Sequence, residues 1–61
     1  MKLKTMRIIK GETLKTLAKK VGISVPTMRL WEIDPQSITL KNIRKLCEIL
    51  ECSMQDVDEW K

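Results

Sequence analysis

Apolar positions along the chain recur at intervals of three and four residues almost throughout, the spacing that lines one face of a 3.6-residue helix. Leu3 and Met6 lie three apart before Gly11; Leu14, Leu17, Ala18 and Val21 form one stripe before Gly22; Val25, Met28 and Trp31 follow. Downstream, Leu40, Ile43, Leu46, Cys47 and Leu50 make the longest stripe, and Met54 with Val57 begins a short last one. No segment keeps the two-residue alternation of a half-buried strand for long. The pattern predicts an all-α domain of five short helices spanning residues 1–61, interrupted at Gly11, Gly22, Pro35 and the turn from Glu51 to Ser53.

Residues suited to opening helices stand at the same breaks. Thr13 can accept a hydrogen bond from the amides that open the second helix, Ser24 can do so for the third with Pro26 tolerated in its first turn, and Thr39 can open the fourth. Ser53-Met-Gln-Asp56 resembles a capping box with Asp in place of Glu, which gives the last helix a start signal of its own. Trp60 lies beyond the final stripe and is expected to close the core as a lid, an exposed contact for another molecule being the alternative.

Size and composition narrow the chemistry. A chain of 61 residues buries only about 60% of its unfolded surface, room for one small core and not for a large multi-domain enzyme. With Cys47 and Cys52 as its two cysteines and no His, it supports neither a disulfide scaffold nor a four-ligand metal site, and both cysteines read as small core residues. The Ser and Thr residues suit caps better than nucleophiles, since no general base accompanies them; no enzyme activity, metal or cofactor is expected. No apolar run approaches the roughly 20 residues of a membrane span, so a soluble cytoplasmic protein with no membrane partner is expected.

Charge adds a direction. The net charge of +4 is unevenly spread: residues 1–31 carry eight basic side chains against the single acid Glu12, whereas residues 32–61 carry four against seven acids. Such a polarised molecule attracts phosphates to one half and keeps the other away from the same polymer, although a merely solvated, Lys-rich half accounts for the imbalance equally well.

The densest constellation is Thr13 to Glu32, TLKTLAKKVGISVPTMRLWE. Two helices meeting at a sharp angle need a small residue where they approach, a permissive residue in the turn and apolar anchors on both inner faces. Ala18 supplies the first, Gly22 the second, and Leu17, Val21, Ile23, Met28 and Trp31 the anchors. The spacing suits a helix-turn-helix; an ordinary three-helix corner shares some of its features.

On these residues, together with MKLKTMRIIKG before them and LCEILECSMQDV after them, the chain resembles the lambda-repressor-like, Cro-type (Xre-like) helix-turn-helix domains of phage and bacterial regulators over nearly its whole length. The resemblance implies a compact five-helix DNA-binding domain in which residues 13–21 position and residues 24–32 enter the major groove. It implies a sequence-specific transcriptional regulator, a small repressor or Cro-like protein, whose partner is a double-stranded DNA operator. Base contacts would fall to Val25, Pro26, Thr27, Arg29 and Leu30. Arg29 could donate twice to a guanine, and Val25 could press on a thymine methyl. Phosphate contacts would fall to Thr13, Lys15, Lys19, Ser24 and Lys41 at or near helix N-termini. Arg7 and Glu32 match positions that often form an ion pair orienting the recognition helix. A homodimer on paired half-sites is expected, with Met54, Val57 and Trp60 as its contact patch.

Departures from the family pattern point elsewhere. Leu14 stands where a phosphate-contacting Gln is usual and Leu30 where a polar residue is usual, and the loop from Ile33 to Ile38 carries Asp34 and no basic side chain. Glu51 occupies a helix end where glycine is common. Exposed Val25, Pro26 and Leu30 beside an arginine would equally suit a protein-binding modulator or antirepressor that covers a partner repressor.

Overall fold

The computed structural model describes residues 1–60, which form four α-helices and one short 3-10 turn. They run in the order α1 (Leu3–Ile9), α2 (Leu14–Val21), α3 (Val25–Ile33), the turn Pro35–Ser37, and α4 (Leu40–Leu50). α2 packs against both α3 and α4, and α3 folds back on the 3-10 turn that follows it. The stripes read from the sequence converge on one buried cluster: Leu3 and Met6 from α1, Leu17, Ala18 and Val21 from α2, Met28 and Trp31 from α3, and Ile43, Leu46, Cys47 and Leu50 from α4, with Ile38 from the segment before α4 and Val57 from the segment after it. Each fully buried leucine of that set stabilises the fold by about 1.5–3 kcal/mol relative to its exposed state.

Local chemistry sets most of the helix ends. Thr13, Ser24 and Thr39 are in extended conformation, and each side chain accepts from the amide three residues on, at Thr16, Thr27 and Asn42. Pro26 fits the first turn of α3, where an amide would have no partner within the helix. α2 and α4 close alike. The residue after each helix is left-handed, and the next amide reaches back five residues, Ile23 to Ala18 and Cys52 to Cys47, both at 3.0 Å. At α2 the left-handed residue is Gly22 (φ 89°), which takes it without strain; at α4 it is Glu51 (φ 53°), where the Cβ makes the same conformation less favourable.

The expected fifth helix does not form. Ser53 N–H does donate to Asp56 Oδ2 (2.9 Å), but the backbone goes no further than a turn, Asp56 N–H to Ser53 O at 3.1 Å. The chain leaves helical geometry because longer-range partners take it over. Val57 is fully buried in the core, Asp58 N–H donates to Met1 O, and the Glu59 carboxylate accepts from Leu3 N–H at 2.7 Å. α1 has no side-chain cap from its own N-cap residue, Lys2, so a residue 56 positions away supplies an anion at its positive end. Trp60 is half-buried against the core, its indole N–H donating to Met54 O, in the manner of a lid. Of the three residues expected at a dimer contact, Val57 has no exposed surface, Met54 is exposed and Trp60 is half-buried.

Candidate nucleic-acid interface

α3 turns two faces to two environments. Met28 and Trp31 point into the core, while Val25, Pro26, Arg29, Leu30 and Ile33, spaced so that they share the opposite face, line an open groove of about 330 Å³. Leu30 is 55% and Ile33 74% exposed. A soluble helix normally covers its outward face with polar side chains; here the groove has one, Arg29. Among the described residues no hydrogen bond or ion pair engages the Arg29 guanidinium, so its five donors are uncommitted within the fold.

The angle at which α3 presents this face is set from behind. Arg7 of α1 lies 8% exposed and grips Glu32 in the last turn of α3 with two donors, Nε to Oε2 at 2.6 Å and Nη2 to Oε1 at 3.3 Å. Its remaining nitrogen, Nη1, donates to the Glu12 carbonyl at 2.9 Å, tying the same side chain to the segment that leads into α2. Both side chains of the pair are 9% exposed. A planar guanidinium bound to a carboxylate at two points restricts rotation as well as distance, which a lysine could not do.

The N-terminus of α2 is already furnished. Thr13 and Thr16 exchange hydrogen bonds in a reciprocal capping box, Thr16 Oγ1 accepting from Thr13 N–H at 2.9 Å and Thr13 Oγ1 from Thr16 N–H at 3.0 Å. Thr16 Oγ1 also donates to Glu12 Oε1 (2.8 Å), and Lys20 forms an ion pair with the other carboxylate oxygen. Hydrogen bonding from Lys20, and then from Thr16, holds the Glu12 carboxyl below the usual range for a glutamate. A phosphate approaching this helix end therefore meets a carboxylate and two amides already occupied. Thr13 caps α2, and Lys15 and Lys19 on the same helix are exposed.

The other residues singled out in the sequence fall into distinct settings. Ser24 caps α3, and its hydroxyl lies 2.8 Å from that of Thr27, which is half-buried; this pairing takes up part of the hydrogen-bonding capacity of both. Val25 is half-buried against the core while still lining the groove, and Pro26 is exposed. Lys41 is exposed in the first turn of α4. Two residues that sequence reasoning passed over belong to this region. Ile33, taken as the start of a loop, is the last residue of α3 and extends the groove; its spacing from Val25, Arg29 and Pro26 was the available signal. Lys45 of α4 brings its ammonium within 3.9 Å of where a Cβ on Gly22 would lie, over the C-terminal end of α2, where a cation is favoured. Nothing local announces that contact.

The cysteines lie apart from this face. Cys47 is buried and Cys52 half-buried against the core, across the last turn of α4, and burial, reinforced by the neighbouring Cys52, pushes the Cys47 thiol up to about 11. It remains a neutral thiol at ordinary pH, a poor nucleophile. Among the described residues no cluster of three or more His, Cys, Asp or Glu is arranged to hold a metal ion, and no helix is long and apolar enough to cross a membrane.

Set beside known proteins, residues 2–61 match the family model of the Cro/C1-type helix-turn-helix DNA-binding domain. No curated protein and no solved structure gives a match.

Proposed function

Because the chain belongs to the Cro/C1-type helix-turn-helix DNA-binding domain family, we propose that it is a sequence-specific transcriptional regulator, a small repressor or Cro-like protein of phage type, that lays α3 in the major groove of a double-stranded operator. The observation that carries this reading is the exposed face of α3, held at a fixed angle by the Arg7–Glu32 pair and bearing an arginine without an internal partner. Arg29 reads a base edge, Lys15, Lys19 and Lys41 hold phosphates, and Ser24 and Thr27 set the start of the reading helix. Two copies occupy paired half-sites about one helical turn apart, since one such helix alone makes few base contacts. The protein works in the cytoplasm, where it acts by occupying DNA.

Selection of bound duplexes from a random library, followed by a salt titration of the best binder, tests the proposal. A palindromic site should be enriched, and its affinity should fall steeply with salt as counterions are released from the phosphates. The apolar content of the same face favours a second reading, a modulator or antirepressor that covers a partner repressor; a complex of that kind would change little with salt, and no duplex would be enriched.

A further inference from the structure

We propose that the α3 groove is a reader of thymine methyl groups, so that the operator half-site places thymines at adjacent positions next to one guanine. The inference rests on the reading of α3 as a major-groove helix and adds to it the base composition that the groove accepts. Its lining is four apolar side chains and one cation: Val25, Pro26, Leu30 and Ile33 around Arg29. In the major groove only thymine presents an apolar group large enough to fill such a groove, its C5-methyl; cytosine has a bare C5–H there, beside its amino donor, and the purine edges are donors and acceptors.

Selection against other bases follows from the same lining. Were Leu30 or Pro26 seated on the O6 of a guanine or the amino group of a cytosine, that polar edge would lose its water and gain no partner, an unfavourable exchange. A thymine methyl at the same place gains contact and loses little. The groove, with about 330 Å³ of space, accommodates more than one methyl, and Ile33, 74% exposed at its far end, extends the apolar wall by a further helical turn. Arg29, on the same face and without an internal partner, supplies the paired donors that a guanine's O6 and N7 accept. Thr27 adds little polar readout, because its hydroxyl is engaged with Ser24. Charge favours a nucleic acid as the occupant over a neutral protein surface: outside the Arg7–Glu32 and Lys20–Glu12 ion pairs, residues 1–33 carry six further basic side chains and no further acid.

The test resynthesises the selected duplex with deoxyuridine at each thymine in turn, which deletes one methyl and keeps every hydrogen-bonding group. Affinity should fall about fourfold for each methyl seated in the groove, the effect of removing one buried carbon from an apolar contact. In the Leu30→Ala protein, whose altered side chain is already exposed, the same replacement should matter less at the position that Leu30 covers. This second arm separates a lost contact from any change in the stiffness of the DNA. Equal binding of thymine and uracil duplexes at all positions, with a selected operator still bound, overturns methyl reading and leaves the DNA-binding proposal standing. Enrichment of no duplex at all overturns both and assigns the groove to a protein partner.

Discussion

α3 and α4 are neighbours in one small fold and use their apolar residues in opposite ways. α4 turns Ile43, Leu46, Cys47 and Leu50 into the core and shows solvent Lys41, Arg44, Lys45 and Glu48, with Leu40 in its first turn the exception. α3 buries only Met28 and Trp31 and leaves Leu30 and Ile33 in the open. α3 packs on α2 and is tied in addition to α1 by the Arg7–Glu32 pair, whereas α4 joins the fold through its buried stripe. The contrast separates two demands: α4 answers to folding, and the outer face of α3, which folding does not require to be apolar, is free to answer to recognition.

The largest effect should come from breaking the tether. Arg7→Met leaves the Glu32 carboxylate nearly buried and unmatched, and we expect a loss of about 3–5 kcal/mol, measured by urea or thermal unfolding. That loss is a large part of the total stability of a domain this small. The double variant Arg7→Met with Glu32→Leu should recover most of it, since no buried charge is then stranded. Recovery of stability without recovery of operator affinity would mark the pair as an orienting device for α3.

Next in size is a paired leucine truncation that sets the two helices against each other. Leu46→Ala in α4 removes a side chain with no exposed surface and should cost about 2–5 kcal/mol. Leu30→Ala in α3 should change stability by less than about 0.5 kcal/mol, because the leucine is mostly in solvent already. Chemical denaturation of both variants checks the pair, and a large loss from Leu30→Ala would show that the outer face of α3 serves the fold after all.

The smallest effect concerns the polar entry to α2. Because hydrogen bonds from Lys20 and Thr16 depress the Glu12 pKa in the folded state, their stabilisation is complete above the carboxylate's unfolded value and is lost as pH falls through the lower, folded one. Lys20→Met should therefore be slightly less stable than the parent near neutrality, and the gap should close in the acid range. Melting curves of the two proteins from neutral pH down to about pH 3 measure it; a gap that stays constant across that range would remove Glu12 as its cause.

Much of the fold was legible because it is written locally. The stripes of α1, α2, α3 and α4, the caps at Thr13, Ser24 and Thr39, and the permissive turn at Gly22 each depend on residues within a few positions of one another. Periodicity and capping chemistry reach that distance and no further. The candidate site was legible in its composition and less so in its geometry. The apolar character of α3's outer face followed from Val25, Pro26 and Leu30, while the addition of Ile33 turned on where the helix stops, a boundary that pattern reading places only within a few residues.

The stripes of the four helices, the starting residues of α2, α3 and α4 and the polarised charge of the two halves were determined by the amino-acid sequence alone, because helix periodicity, local caps and charge are properties of neighbours along the chain. The tertiary structure decided the fate of the last eight described residues and the employment of several polar groups. Ser53 and Asp56 begin a helix that the core interrupts by taking in Val57, and Glu59 caps a helix at the far end of the chain. Thr16 and Lys20 close around Glu12, and Lys45 comes to lie over Gly22. A local start signal is worth about 1 kcal/mol, less than the burial of one valine side chain, so where the two compete the long-range contact prevails.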